Sequence, residues 1–303
     1  MYDLIIIGAG PAGITAAVYA ARKKMNLLVI SKDIGGQAAW SGDIENYTGY
    51  QFISGPELAQ KFEEHMRQYN IALRENEEVI EVRKTGESVS VKTDKGQYEA
   101  RALIIASGKK SKELNVPGEK EFKNRGLTYC ATCDGPLFAG KDVAVIGGGN
   151  SALDAALQLV KIAKKVYIIN NMPALGGDVI MRQKVEASDK ATVYNSTQVV
   201  AVAGDKMVTG ITIKSENREE TLSVQGVFVE IGLIPNSDFV RDVERNQSRE
   251  IKINCHNETN IPGIFAAGDV TDVPEKQIII AAGEGSKACL SAFRYLARNK
   301  FSS

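Results

Sequence analysis

Two cysteines three positions apart, Cys130 and Cys133, lie in the run Cys130-Ala131-Thr132-Cys133-Asp134-Gly135-Pro136. Thiols at that spacing can close into a disulfide and reopen, which makes the pair a store for two electrons. The chain has 4 cysteines in 303 residues, too few for a disulfide framework, and a Cys-x-x-Cys in such a protein is more often catalytic or metal-binding than structural. Zinc is the rival use. It needs about four ligands, and Cys255, Cys289, His65 and His256 are scattered with no second Cys-x-x-Cys among them; no metal is expected. An electron store needs a source and an acceptor, and the elements around the pair bear on the source.

The N-terminal run Leu4-Ile5-Ile6-Ile7 is apolar and β-branched, as expected of a strand buried on both faces of a parallel sheet. It runs into Gly8-Ala9-Gly10-Pro11-Ala12-Gly13 and a helical segment from Ile14 to Arg22. In that setting G-x-G-x-x-G is a dinucleotide fingerprint: a tight turn, close approach of backbone to a pyrophosphate, and a helix N-terminus facing the phosphates. The next strand, Leu27 to Ile30, ends at Ser31-Lys32 without the acidic residue that often holds a ribose. Gly35-Gly36-Gln37 and Ile44-Glu45-Asn46-Tyr47 read equally as ligand lining or as ordinary loop chemistry. A helix is expected from Pro56 to Tyr69, then a meander around Val79–Val82, Val89–Val91 and Tyr98–Ala100. The strand Ala102 to Ile105 ends in Ala106-Ser107-Gly108, where small residues let backbone crowd a ligand or simply turn; Lys109, Lys110 and Lys112 follow as a solvated run or a docking patch for an acidic partner.

After the cysteines the opening pattern recurs. Val143 to Ile146, the turn Gly147-x-Gly149-x-x-Ala152, a helix to about Ile162 and a strand Val166 to Ile169 repeat the first βαβ unit. The expected fold is therefore α/β, with two Rossmann-like three-layer dinucleotide-binding domains. Beyond Asp178 the pattern is strand-like (Val193, Val199–Val202, Ile211–Ile213, Val227–Val229), ending at Gly232-Leu233-Ile234-Pro235-Asn236. The C-terminal part offers a strand Ile251–Ile253, then Ile264 to Gly268-Asp269, then Gln277-Ile278 entering a helix that ends near Tyr295.

Bulk properties narrow the partners. A composition of 44% hydrophobic and 24% charged residues is globular, and 37 basic against 37 acidic side chains gives no reason to expect nucleic acid or an anionic membrane. Met1-Tyr2-Asp3-Leu4 lacks a basic leader and the following apolar run is short, so a soluble, cytoplasmic protein is expected.

An N-terminal G-x-G-x-x-G, a central C-A-T-C-D-G-P, a G-G-G-N-S-A and a C-terminal A-A-G-D, in that order, resemble the low-molecular-weight thioredoxin reductases and the reductase region of the alkyl hydroperoxide reductase flavoprotein. The resemblance covers the whole chain. It implies an FAD domain of residues 1–115 and 243–303, a smaller inserted pyridine-nucleotide-type domain of residues 116–242, and a homodimer. Gly8, Gly10, Pro11, Ala12 and Gly13 would hold the FAD pyrophosphate, with Gly36, Gly108 and Gly268 in the same cofactor site. Gln37 and Asn46 would line the flavin, Asp269 would hold the ribitol side, and Gln277 and Ile278 would lie by the pyrimidine edge. Cys133 would face the flavin, Cys130 would attack a thioredoxin-like partner, and Asp134 would be the acid/base, although Asp134 also suits a turn before Gly135-Pro136. Members of this family alternate between the two tasks by rotating their domains, with hinges here near 116 and 243.

This chain departs from NADPH-using relatives after the second Rossmann strand. They carry H-R-R-x-x-x-R there, whose arginines grip a 2′-phosphate; here the stretch is Asn170-Asn171-Met172-Pro173-Ala174-Leu175-Gly176. An NAD site would prefer a carboxylate at the strand end, and Asn170 supplies none. The pattern resembles the ferredoxin-dependent flavin thioredoxin reductases, so reduced ferredoxin is the expected donor. The alternatives are an NADH-dependent reductase serving a glutaredoxin-like or peroxiredoxin-linked carrier, and a flavin redox sensor without turnover.

Overall fold

The structure is a computed structural model describing residues 1–41, 43–216 and 218–299. The chain divides into two compact units, Met1–Lys110 with Ile234–Ser303, and Ser111–Leu233. The sequence expectation put the crossings near 116 and 243; the units change five and nine residues earlier, at Lys110–Ser111 and Leu233–Ile234.

In the first unit Tyr2–Ala9 is the central strand, flanked in parallel by Leu27–Ile34 and Gln97–Ile105. Ala72–Arg74 extends the sheet on one side, while Ile264–Ala266 adds in parallel to Gln97–Ile105. Ser88–Thr93 and Val79–Thr85 continue it as the expected antiparallel meander. Because side chains alternate along a strand, Leu4 and Ile6 pack with Val29 and Ile104 on one face, under the helices Pro11–Arg22 and Ile278–Asn299. Ile5, Ile7, Leu28 and Leu103 pack on the other face with Val82, Val89 and Val91 of the meander. The two helices touch at backbone distance: a Cβ on Gly285 would lie 2.0 Å from the Ala12 carbonyl oxygen.

The second unit repeats the plan with a five-stranded parallel sheet, ordered Leu127–Thr128, Gly226–Val229, Asp142–Ile146, Lys165–Ile169 and Ala191–Tyr194. Val143, Val145 and Ile168 bury against Ala152, Leu153 and Ala156 of the helix Asn150–Leu159. Ala144, Ile146 and Ile169 bury against Val199, Val202, Ile211 and Ile213 of an antiparallel three-stranded sheet.

Three sequence expectations need correction. Val179–Glu186, read as the start of strand-like pattern, is a helix, because Asp178 Oδ1 accepts from Ile180 N at 2.8 Å and Met181 N at 3.2 Å and caps its first turn. Ile251 forms only isolated bridges, to Arg245 and Thr271, so Ile251–Ile253 is not a strand of either sheet. The last helix runs to Asn299 instead of ending near Tyr295. Among the described residues no helix is long and apolar enough to cross a membrane.

Candidate redox and cofactor sites

Cys130 and Cys133 are joined by a disulfide. Cys130 is half-buried and stands just before the short helix Ala131–Asp134, and Cys133 is exposed. Ala131, Gly135 and Phe138 seat this turn in the core of the second unit. Ala131 and Phe138 are buried with Val145 and Ala156, Phe138 meets Phe228 edge-on at 5.3 Å, and a Cβ on Gly135 would touch Leu159 and Ile162 at 3.5 and 3.4 Å. Hydrogen bonds set the register of the turn. Cys133 N donates to Cys130 Sγ at 3.1 Å, Cys130 N donates to Thr128 Oγ1 at 3.2 Å, and the Thr128 hydroxyl donates to Asp134 Oδ2. Asp134 therefore shares a buried hydroxyl with the backbone of Cys130, a link that no residue spacing announces.

In the first unit the fingerprint turn is shaped for close approach. Gly8 has φ +101° and a Cβ there would lie 2.3 Å from the Ala106 carbonyl oxygen; a Cβ on Gly13 would lie 1.8 Å from the Gly8 oxygen. The helix Pro11–Arg22 begins at Gly10 with no side-chain cap and no acidic residue in its first turn, which leaves its first N–H groups and positive end for an anion. A Cβ on Gly36 would come 3.2 Å from Gly10 Cα, and one on Gly268 3.0 Å from Ala12 Cβ, so four of the expected cofactor positions adjoin one another. Gly108 has φ +59° with open space around it.

The flanking polar groups also converge. Gln37 Nε2 donates to the Lys109 carbonyl at 2.9 Å, and Asn46 Nδ2 donates to Gln277 Oε1 at 3.0 Å; Ile278, the next residue, opens the last helix. Burial raises the carboxyl pKa of Asp269, while the Lys276 and Lys109 ammonium groups oppose that rise. Both lysines pair with Glu250 Oε1 at 3.0 Å, and Asn246 donates to Glu250 Oε2 at 2.7 Å. Burial works against the Glu250 charge, yet these three donors hold its carboxyl down at about 2. The Lys–Glu–Lys cluster leaves no trace in residue spacing, since Lys109 and Lys276 stand 141 and 26 positions from Glu250, and only Lys109 falls in a noticeable run.

The second glycine turn has the same frame with a different filling. Gly147 has φ +134° and packs on the Glu230 carbonyl, and a Cβ on Gly149 would meet nothing. A Cβ on Gly148, however, would lie 2.4 Å from Asn170 Oδ1. Asn170 is 1% exposed and its amide is fully engaged: Nδ2 donates to the Met172 carbonyl at 3.1 Å and to Asn195 Oδ1 at 2.8 Å, and Oδ1 accepts from Met172 N at 3.1 Å. Gly176 N donates to the Gly148 carbonyl at 2.8 Å, and Asp178 N to Asn150 Oδ1 at 2.7 Å, so the segment after the strand is tied back to the turn. Glu230, beside Gly147, has its carboxyl pushed up to about 8 by burial and by the Asp154 charge. No motif in the sequence marks Glu230, whose significance lies in its surroundings.

Residues 2–285 match the pyridine nucleotide-disulphide oxidoreductase family, and the chain belongs to it. Its fold is that of the thioredoxin reductases, and its cofactor is FAD. Among solved structures, thioredoxin reductase of Lactococcus lactis superposes with a TM-score of 0.92 at 34% identity, over 98% of this chain and 100% of that one. A ferredoxin-flavin thioredoxin reductase of Clostridium acetobutylicum does so with a TM-score of 0.55 at 33% identity, over 98% of each chain. Among curated proteins, an alkyl hydroperoxide reductase component of Pseudomonas aeruginosa is 42% identical and a protein named NADH dehydrogenase of Bacillus subtilis 40% identical, each over 98% of this chain. This chain spans 58% and 59% of their lengths.

The first unit fits FAD: its glycine turn is stripped of side chains where a pyrophosphate would approach, and its helix end is uncapped.

Proposed function

We propose that this chain is an FAD-dependent thioredoxin-disulfide reductase that receives its electrons from reduced ferredoxin. FAD bound at the first glycine turn would supply a carrier that collects electrons and delivers them as a pair. The dithiol at Cys130 and Cys133 then does the exchange. The Cys130 thiolate attacks the partner's disulfide, forming a mixed disulfide and expelling the partner's other sulfur, which takes up a proton. Cys133 attacks the Cys130 sulfur, restoring the Cys130–Cys133 bond and releasing the second partner thiol. Asp134, bonded to the Thr128 hydroxyl, would manage the proton lost by Cys133.

The observation that carries the donor assignment is Asn170. Its amide is buried and engaged within the second unit, so it offers neither the carboxylate that binds ribose hydroxyls nor a cation for a 2′-phosphate. Residues 171–176 contain no charged side chain either. Losing charge-assisted contacts worth about 1.5–3 kcal/mol each disfavours either nicotinamide nucleotide. The ferredoxin-flavin relative supports the same reading.

A second reading, an NADH-dependent reductase serving a glutaredoxin-like or peroxiredoxin-linked carrier, is favoured by the names of the 42% and 40% identical relatives. The acceptor half is tested with Cys133→Ser, which should trap a mixed disulfide between Cys130 and a thioredoxin-like protein. Trapping through Cys133 in Cys130→Ser, and none through Cys130, would reverse the assignment of the two thiols; trapping of neither would remove the thioredoxin-type acceptor.

A further inference from the structure

Thr132 stands between the two redox cysteines, and its hydroxyl donates to Gln158 Oε1 at 2.8 Å. The other end of that amide is also engaged: Gln158 Nε2 donates to Asp154 Oδ2 at 3.0 Å. Asp154 lies one turn earlier on the helix Asn150–Leu159, and its charge reaches Glu230, whose carboxyl is pushed up to about 8 by burial and by that charge. The sense of the amide follows. Asp154 Oδ2 accepts, so the Nε2 end of Gln158 faces it and the Oε1 end remains for Thr132.

The redox turn is thus held from two sides. Thr128 accepts from Cys130 N and donates to Asp134, and Gln158 holds Thr132. Between these anchors the Cys133 N–H donates to Cys130 Sγ at 3.1 Å. A donor aimed at a sulfur favours its thiolate over its thiol. That donor stays on the sulfur only while the turn keeps its shape, and reduction removes the covalent bond that otherwise enforces it.

We propose that Gln158 is a positioning residue of the redox turn: by fixing Thr132 against the helix Asn150–Leu159 it keeps the Cys133 N–H on the Cys130 sulfur, and so maintains Cys130 as a readily ionised thiol after reduction. Its functional weight rests on the proposed role of Cys130 as the thiol that attacks the partner.

The test is the pH profile of Cys130 alkylation by iodoacetamide in the reduced, FAD-loaded full chain, with adducts located by peptide mass. Cys130 should titrate below the ordinary thiol value of about 8.5. Gln158→Leu should raise the midpoint by about one unit, slowing reaction at neutral pH about tenfold. Thr132→Val should do the same, and the double variant should add nothing further, because both remove one interaction. Gln158→Glu, which still offers Thr132 an oxygen but sets a second carboxylate beside Asp154, should fall between. A folded, flavin-loaded Gln158→Leu with an unshifted profile overturns the proposal, as does an additive double variant. Should Gln158→Leu fail to fold, Thr132→Val and Gln158→Glu decide it by the same shifts. The readout is ionisation and not turnover, so failure on a thioredoxin-like partner would sink the acceptor reading while leaving this result standing.

Discussion

Gly148 and Asn170 are packed so closely that only one of them can carry a side chain: a Cβ on Gly148 would lie 2.4 Å from Asn170 Oδ1. The end of the second strand in this unit is therefore built inward. Asn170→Asp, the substitution that would supply an NAD-type carboxylate, should not create a ribose site. It exchanges two donor bonds, to the Met172 carbonyl and Asn195 Oδ1, for oxygen facing oxygen. We expect a loss of about 3 kcal/mol in denaturant unfolding and no gain in NADH binding by fluorescence titration. A stable variant that binds NADH tightly would show that position 170 is available to a ligand.

Gly13→Ala tests the cofactor cradle. The added Cβ would lie 1.8 Å from the Gly8 carbonyl oxygen, so the helix Pro11–Arg22 must move off the turn. The cost should be about 2–4 kcal/mol. The purified protein should lose most of its flavin, read from the ratio of flavin to protein absorbance. Full flavin content would place the cofactor elsewhere.

Glu230→Gln should change the pH dependence of stability. The Glu230 carboxyl is raised from 4.5 to about 8 in the folded chain, first by burial and then by Asp154. The native state therefore binds a proton that the unfolded state has already released. This contribution is complete below about 4.5 and is lost as pH rises through about 8. Glu230→Gln should accordingly gain about 1–3 kcal/mol on the parent at the alkaline end, seen as a flatter melting temperature against pH. Parallel curves would mean that Glu230 is already ionised at neutral pH.

Much of the frame was legible because it is written in local pattern. Leu4 to Ile7 and Val143 to Ile146, each followed by a glycine turn and an alanine-rich helix, define two parallel sheets without reference to distant residues. The Val179–Glu186 helix was hidden because Val179 and Ile180 are apolar yet 54% and 62% exposed, so their character carried no information about a buried face; only the Asp178 cap marks it. The sites divide the same way. Spacing exposed the Cys130/Cys133 pair, which the structure joins as a disulfide. It could not reveal that Thr132 meets Gln158, that Lys109 and Lys276 share Glu250, or that Asn170 is saturated. Those are contacts between distant segments, and they depend on the sheet order.

The donor is the central question, and one anaerobic cuvette addresses it. Oxidised, FAD-loaded enzyme is mixed in turn with NADPH, NADH and reduced ferredoxin while flavin absorbance is followed. The account predicts bleaching by ferredoxin alone, with subsequent appearance of thiols at Cys130 and Cys133. Prompt bleaching by NADH or NADPH, with ferredoxin inert, would contradict it.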